Sequence, residues 1–153
     1  MNQIQLIINQ LESQLAAWKT AKRQLVPKKG WLRMLRSALG LSSYQLARRM
    51  AVSQSRVAQL ERSEVNGSVT LKSLSAAAEA MNCQLVYAIV PKESLQTILE
   101  TQARKVAKKR IERVSHSMTL EAQTVSKEKQ REQYEALVNE LLTGSPKKLW
   151  NEE

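Results

Sequence analysis

Apolar residues recur three or four apart from Ile4 to Leu25, at Ile4, Ile8, Leu11, Leu15, Trp18 and Leu25, with Lys22 interrupting the stripe. That spacing marks one face of a helix. Pro27 stops it, and the run Pro27-Lys28-Lys29-Gly30 reads as a short basic connector. Such a face can pack on its own domain or against a second chain. From Trp31 to Met81 the pattern breaks into four short helices separated by turn signals. Their apolar positions are Leu32, Leu35 and Leu39, then Leu46, Ala47 and Met50, then Val57 and Leu60, then Leu71, Leu74, Ala78 and Met81. Helices this short are not stable alone, so the spacing predicts one shared core.

The segment QLVYAIVP, closed by Pro91, is rich in β-branched and aromatic residues and is the one convincing strand. Leu85, Tyr87 and Ile89 on one face and Val86, Ala88 and Val90 on the other leave it apolar on both sides. A single strand needs a partner for its backbone groups, and no second candidate occurs in the chain. Two solutions stand: antiparallel pairing with the same strand of a second copy about a two-fold axis, or burial against the chain's own helices. Beyond it, two helices are expected, about 94–117 and 119–142. The first carries a stripe of Leu95, Leu99, Ala103, Ala107, Ile111, Val114 and Met118. The second turns apolar only at Tyr134, Leu137, Val138, Leu141 and Leu142. Gly144 and Pro146 end it, leaving a tail with an exposed Trp150.

Charge and absences then limit the chemistry. Lys and Arg outnumber Asp and Glu by 24 to 14, giving a net charge of +10, the field expected of a protein with a polyanionic partner. Basic proteins that never meet nucleic acid share that property, so charge alone decides nothing. The sequence contains no Asp, one histidine, His116, and one cysteine, Cys83. A Ser/His/Asp triad therefore cannot be assembled in one chain, no zinc set is available, and no glycine loop could cradle a phosphate. No cofactor, metal or catalytic residue is expected, and the chain does not read as an enzyme. His116 is expected to cap a helix or to be buried and hydrogen bonded, and Cys83 to be a small buried apolar residue. A lone cysteine, with no signal-like or membrane-length apolar run, predicts a cytoplasmic protein.

Residues 40–62, GLSSYQLARRMAVSQSRVAQLER, carry the strongest motif. Ser42 followed three residues later by Gln45 is a capping box opening one helix. Ala47 is small enough for close helix approach, Val52 and Val57 set the angle between helices, and Ser53 caps the next helix. That geometry projects the start of the later helix outward, where a major groove accepts it. Its outward residues are Gln54, Ser55, Arg56 and Gln59. Gln bonds adenine through two atoms, Ser contacts several bases, and Arg grips guanine or phosphate. Around it, residues 28–62 hold eight cations, Lys28, Lys29, Arg33, Arg36, Arg48, Arg49, Arg56 and Arg62, against one acid, Glu61. A basic collar around a polar reading helix divides labour between phosphate and base contacts.

The phrases Leu-Ser-x-x-x-Leu-Ala and Val-Ser-x-x-x-Val-x-x-Leu-Glu make residues 31–81 resemble the Cro/C1-type (XRE) helix-turn-helix family. The resemblance implies a lambda-repressor-like core in which Gln54, Ser55 and Gln59 touch base edges. It places Ser43 and the loop Arg62–Ser68, including Asn66 and Ser68, on phosphates. It also makes Arg36 and Glu61 an internal salt bridge, which removes Arg36 from the contact surface. Ala51 occupies a turn position where that family most often has Gly. The whole chain further resembles a narrower family, mobile mystery protein A. That likeness is carried by PKKGWLRMLRSALGLS, ARRMAVSQSRVAQLE, SEVNGSVTLKSLSAAAEAMNCQLVYAIVP, ARKVAKKRIERVSHSMTLEAQ and LLTGSPKKLW. Members are encoded beside a Fic-domain protein, which implies a toxin-antitoxin-like pair with this chain as its DNA-binding member.

The expectation is thus a mainly α protein with a helix-turn-helix core of four to five short helices, long flanking helices, and one short β-strand paired across a dimer. Its regions are an N-terminal amphipathic helix (1–27), the DNA-binding domain (28–82), a dimerisation strand (83–91) and a C-terminal helical extension (92–153). The expected contacts to double-stranded DNA are Ser43, Arg48, Arg49, Gln54, Ser55, Arg56, Gln59, Arg62, Asn66 and Ser68. The function expected is a homodimeric, autorepressing regulator that binds an inverted-repeat operator. The alternative is a protein-binding antitoxin or adaptor acting through the C-terminal helices.

Overall fold

A computed structural model of the chain describes residues 3–21, 26–120 and 126–151. Among them are seven α-helices: α1 (Gln3–Ala21), α2 (Trp31–Ala38), α3 (Ser43–Met50), α4 (Gln54–Asn66), α5 (Leu71–Ala80), α6 (Leu95–Leu120) and α7 (Lys127–Thr143). A 3₁₀ turn, Pro146–Trp150, follows. The protein is mainly α, as the periodicity predicts. It divides into two compact units, residues 17–90 and residues 1–16 with 91–153. Lys22 and Leu25, in the expected first helix, and residues 121–125 of the expected last helix lie outside the described residues, whereas residues 119–120, expected to open that helix, instead end α6.

In the unit 17–90, α2 to α5 close around Leu32, Leu46, Ala47, Val57, Leu60, Ala77 and Met81. Each contributes one or two buried side chains, so the core exists only when all four helices are present. The helices start where side chains can accept the first free amides. Ser42 caps α3, Ser53 caps α4 and Thr70 caps α5, and each takes a bond from the amide three residues on. Cys83 is half-buried, packing beside this core.

Of the apolar positions expected on the four short helices, Leu35, Leu39 and Leu71 are exposed, as are Val52, expected to set the angle between helices, and Leu11 and Val114 of the longer stripes. α2 is only two turns long, and Leu39 is its C-cap residue rather than part of its buried face. Leu71 is the first residue of α5, at the helix mouth beside its Thr70 cap. A larger correction concerns the expected strand. Residues 83–90 form no strand in this chain, and Val86, Tyr87 and Ile89 are 61%, 66% and 88% exposed. The physical reason is the missing partner: a strand is made by ladder bonds to a neighbour, and none of the described residues supplies one. Burial against the chain's own helices is thereby also excluded for those three side chains.

In the other unit, α6, α7 and the 3₁₀ turn enclose Ala103, Val106, Ala107, Val138, Leu141 and Leu149. The small residues Ala103 and Ala107, one turn apart, are fully buried, which suits close helix packing. Ser94 caps α6 by accepting from the Thr97 amide at 3.0 Å, and Glu12 of α1 accepts from the Leu95 amide at 2.8 Å. The tail is tied down through Leu149, which is 1% exposed while its neighbour Trp150 is 49% exposed. Buried Gln102 donates to the Leu149 carbonyl at 2.8 Å. His116 departs from expectation: α6 continues to Leu120, so this residue sits within the helix, exposed, and neither caps it nor is buried.

Candidate nucleic-acid interface

The site begins with the turn between α3 and α4. α3 opens on the full capping box, with the Gln45 amide bonding Ser42 Oγ at 3.1 Å and the Ser42 amide bonding Gln45 Oε1 at 2.8 Å. It closes on Ala51 in the left-handed region, φ 56° and ψ 41°, and the Val52 amide returns to the Ala47 carbonyl at 3.0 Å. Ala51 bears a strain of about 1–2 kcal/mol that glycine would avoid. The turn nonetheless has the geometry the motif needs.

α4 then presents Gln54, Ser55, Arg56 and Gln59, all exposed. These side chains are already tied to one another and to α3. Gln54 Nε2 donates to Ser43 Oγ at 2.9 Å, Arg56 Nη1 donates to Gln59 Oε1 at 2.9 Å, and the Ser53 and Ser55 hydroxyls are 3.0 Å apart. A carboxamide has two amide hydrogens and an oxygen with two lone pairs, so one bond orients Gln54 and leaves the rest for a base edge. Ordering the side chains in advance lowers the entropy lost on binding.

The remaining expected contacts separate into distinct settings. Arg48 is exposed on α3 and without an acidic partner among the described residues. Arg49 Nε instead donates to the Ala80 carbonyl at the end of α5, where a cation meets the negative end of the helix. Asn66 Oδ1 accepts from both the amide and the hydroxyl of Ser68, folding the loop after α4 back on itself. Arg62 lies on α4 in a basic cavity lined also by Lys28, Lys29 and Arg33.

Arg36 and Glu61 form the internal pair that the resemblance implies. Nε to Oε1 is 2.6 Å and Nη2 to Oε2 is 3.2 Å, while Nη1 donates to the Leu41 carbonyl at 3.0 Å. Both side chains are largely buried, at 15% and 12% exposure. The hydrogen bond to Glu61 raises the guanidinium pKa above its ordinary value, against the opposing effect of burial. A raised pKa means that this contribution to stability is complete below the ordinary arginine range and lost only in strong alkali. The pair joins α2 to α4.

Two residues that matter for this surface escaped the sequence reading. Gly30 precedes α2 with φ 79° and ψ 158°, and has no side chain with which to cap it. Glu64 of α4 caps α2 instead, its Oε1 accepting from the Trp31 amide at 2.8 Å and its Oε2 from the Leu32 amide at 3.0 Å. A Cβ on Gly30 would lie 2.7 Å from Glu64 Oε2, so only glycine fits both the backbone and the space. An N-terminal helix position with no capping side chain is the signal that could have prompted a search for a distant acceptor.

This arrangement defines a Cro/C1-type helix-turn-helix of the XRE class. Residues 32–87 match the helix-turn-helix family model, which establishes a DNA-binding regulatory domain over that part of the chain. Comparison with curated proteins and with solved structures gave no match. Among the described residues no helix is long and apolar enough to cross a membrane, and no cluster of metal-ligating side chains occurs.

Proposed function

We propose that the chain is a sequence-specific transcriptional regulator, without enzymatic activity, that binds an inverted repeat as a homodimer. The observation that carries this reading is the face of α4, where Gln54 and Gln59 are exposed and each is held by one side-chain bond. In a dimer the two α4 helices enter successive major grooves about 34 Å apart. Autorepression of a two-gene module with a Fic-domain protein, the antitoxin-like role, rests on the likeness to the mobile mystery protein A family. An adaptor reading through the C-terminal helices stands alongside it, supported by α6 and α7 closing around a hydrophobic core of their own in a separate unit.

Selection of bound sequences from random duplex DNA, using the full chain, tests the proposal. The expected outcome is an enriched inverted repeat with half-site centres about one helical turn apart. Recovery of sequences with no shared element would overturn it.

A further inference from the structure

One side of α2 is apolar and stands open. Trp31, Met34, Leu35 and Leu39 are 49%, 47%, 36% and 54% exposed, and Ala38 among them is exposed too. Leu32 is the buried residue of this helix. At about 3.6 residues per turn the five exposed positions fall on one strip beside Leu32, while Arg33, Arg36 and Ser37 fall on the other side. The strip leaves roughly 400 Å² of apolar surface in water, the size of the largest patch on a typical monomer, which is often functional. Trp and Met are enriched where protein surfaces meet, and Trp is a common anchor there.

The strip is held in shape before anything docks on it. Glu64 accepts from the Trp31 and Leu32 amides at one end, and at the other the Leu39 amide bonds the Leu35 carbonyl at 2.9 Å. An ordered surface loses less entropy on association. Charge selects the occupant. The chain carries a net +10, so two copies repel unless they meet on a surface without cations. This strip holds no ionisable side chain, and Arg36, off the strip, is already tied to Glu61. An acidic protein or a nucleic acid favours a cationic face, and this is the side of α2 that lacks one. Area agrees with a second copy. Interfaces are about 56–65% apolar, so two such strips with their polar rim correspond to roughly 1,300 Å², a standard interface.

We infer that the strip Trp31, Met34, Leu35, Ala38 and Leu39 is where two copies of this chain meet, α2 against α2 about a two-fold axis. The inference rests on the homodimer reading and adds the surface that makes the dimer. In such a pairing the middle of the strip faces its own equivalent, which puts Leu35 nearest the axis and sets Trp31 of each copy against Leu39 of the other. Ala38 is small enough to let the two backbones approach. The same unit carries the reading helix, and α2 is fastened to α4 by the Arg36–Glu61 pair and by Glu64. Joining two α2 strips therefore fixes the separation of two α4 helices.

Its test is the mass of the full chain in solution, by sedimentation equilibrium over a range of concentrations at low and high salt. The unaltered chain should be a dimer that tightens at high salt, where repulsion between the two copies is screened. Leu35→Glu and Leu35→Lys should each weaken the dimer at least about tenfold, because like charges then meet at the axis. An equimolar mixture of the two should restore a dimer with one copy of each. Ala38→Glu, at an exposed position where folding is not at stake, should weaken the dimer in the same direction. In each variant, affinity for a duplex with a single half-site should match that of the unaltered chain, while affinity for the full inverted repeat falls at least about tenfold. A dimer that Leu35→Glu and Ala38→Glu both leave intact overturns the inference while the homodimer reading stands. Failure of the Glu and Lys variants to pair, with half-site binding retained, overturns it too, because the two strips then do not face each other. A chain that is monomeric at every concentration, with DNA and without it, overturns both readings and assigns the strip to a different partner.

Discussion

In residues 17–90 the four short helices run 8 to 13 residues and begin on acceptors supplied by side chains, three from their own N-caps and one, for α2, from Glu64 of another helix. In the unit built on α6 and α7 the helices run 26 and 17 residues and close around a stripe of Ala, Val and Leu. Helices of two turns cannot nucleate unaided, so the first unit spends its polar side chains on helix ends and on bonds between helices. Longer helices depend less on such ties. The ion pairs follow the same division: Arg36 and Glu61 are largely buried and join two helices, whereas Arg104 and Glu135, at 3.1 Å, remain about half exposed. A pair of the exposed kind contributes little in water. The difference teaches that in the DNA-binding unit the groups that finish the fold and the groups that present the binding surface overlap, as Ser43, Ser53 and Glu64 illustrate.

That contrast can be broken in order of effect. Leu46 is 1% exposed, and Leu46→Ala should cost about 2–5 kcal/mol in chemical denaturation and abolish DNA binding as well. Leu149→Ala should destabilise the chain over a similar range, about 2–5 kcal/mol, while the molecules that remain folded bind DNA with unchanged affinity. Loss of affinity in proportion to stability for both variants would erase the distinction between the units. Glu61→Gln strands the Arg36 charge in a largely buried site, and about 3 kcal/mol of destabilisation is expected from thermal melts. Gly30→Ala displaces the Glu64 carboxylate that caps α2, with an expected cost of about 1–3 kcal/mol in thermal melts. Ala51→Gly should do the opposite on a smaller scale, stabilising the chain by about 0.5–1 kcal/mol through relief of the left-handed alanine.

Much of the geometry of the turn and of α4 was legible because its signals are local. The capping box of Ser42 and Gln45, the Ser53 cap and the turn at Ala51 each lie within three or four residues of what they control. The exposed face of α4 then follows from helical periodicity. What the sequence hid was set by distant partners. Glu64 acts on backbone 32 and 33 residues away, Gln102 on a carbonyl 47 away, and neither spacing carries a pattern. Leu35 and Leu39 looked like core because apolar spacing records a face without recording what covers it. Residues 83–90 were misread for a related reason, since strand propensity marks a segment able to pair but not the chain it pairs with.

The central claim, that α4 reads bases through Gln54 and Gln59, is tested most directly by Gln54→Ala/Gln59→Ala. The measurement is the ratio of affinities for the selected duplex and its scrambled counterpart. Each bidentate contact to a base contributes about 1–3 kcal/mol of discrimination, so the ratio should fall by at least about tenfold while affinity for scrambled DNA stays the same. A ratio within about twofold of the unaltered chain would contradict the assignment, because such a change is below the worth of a single base contact.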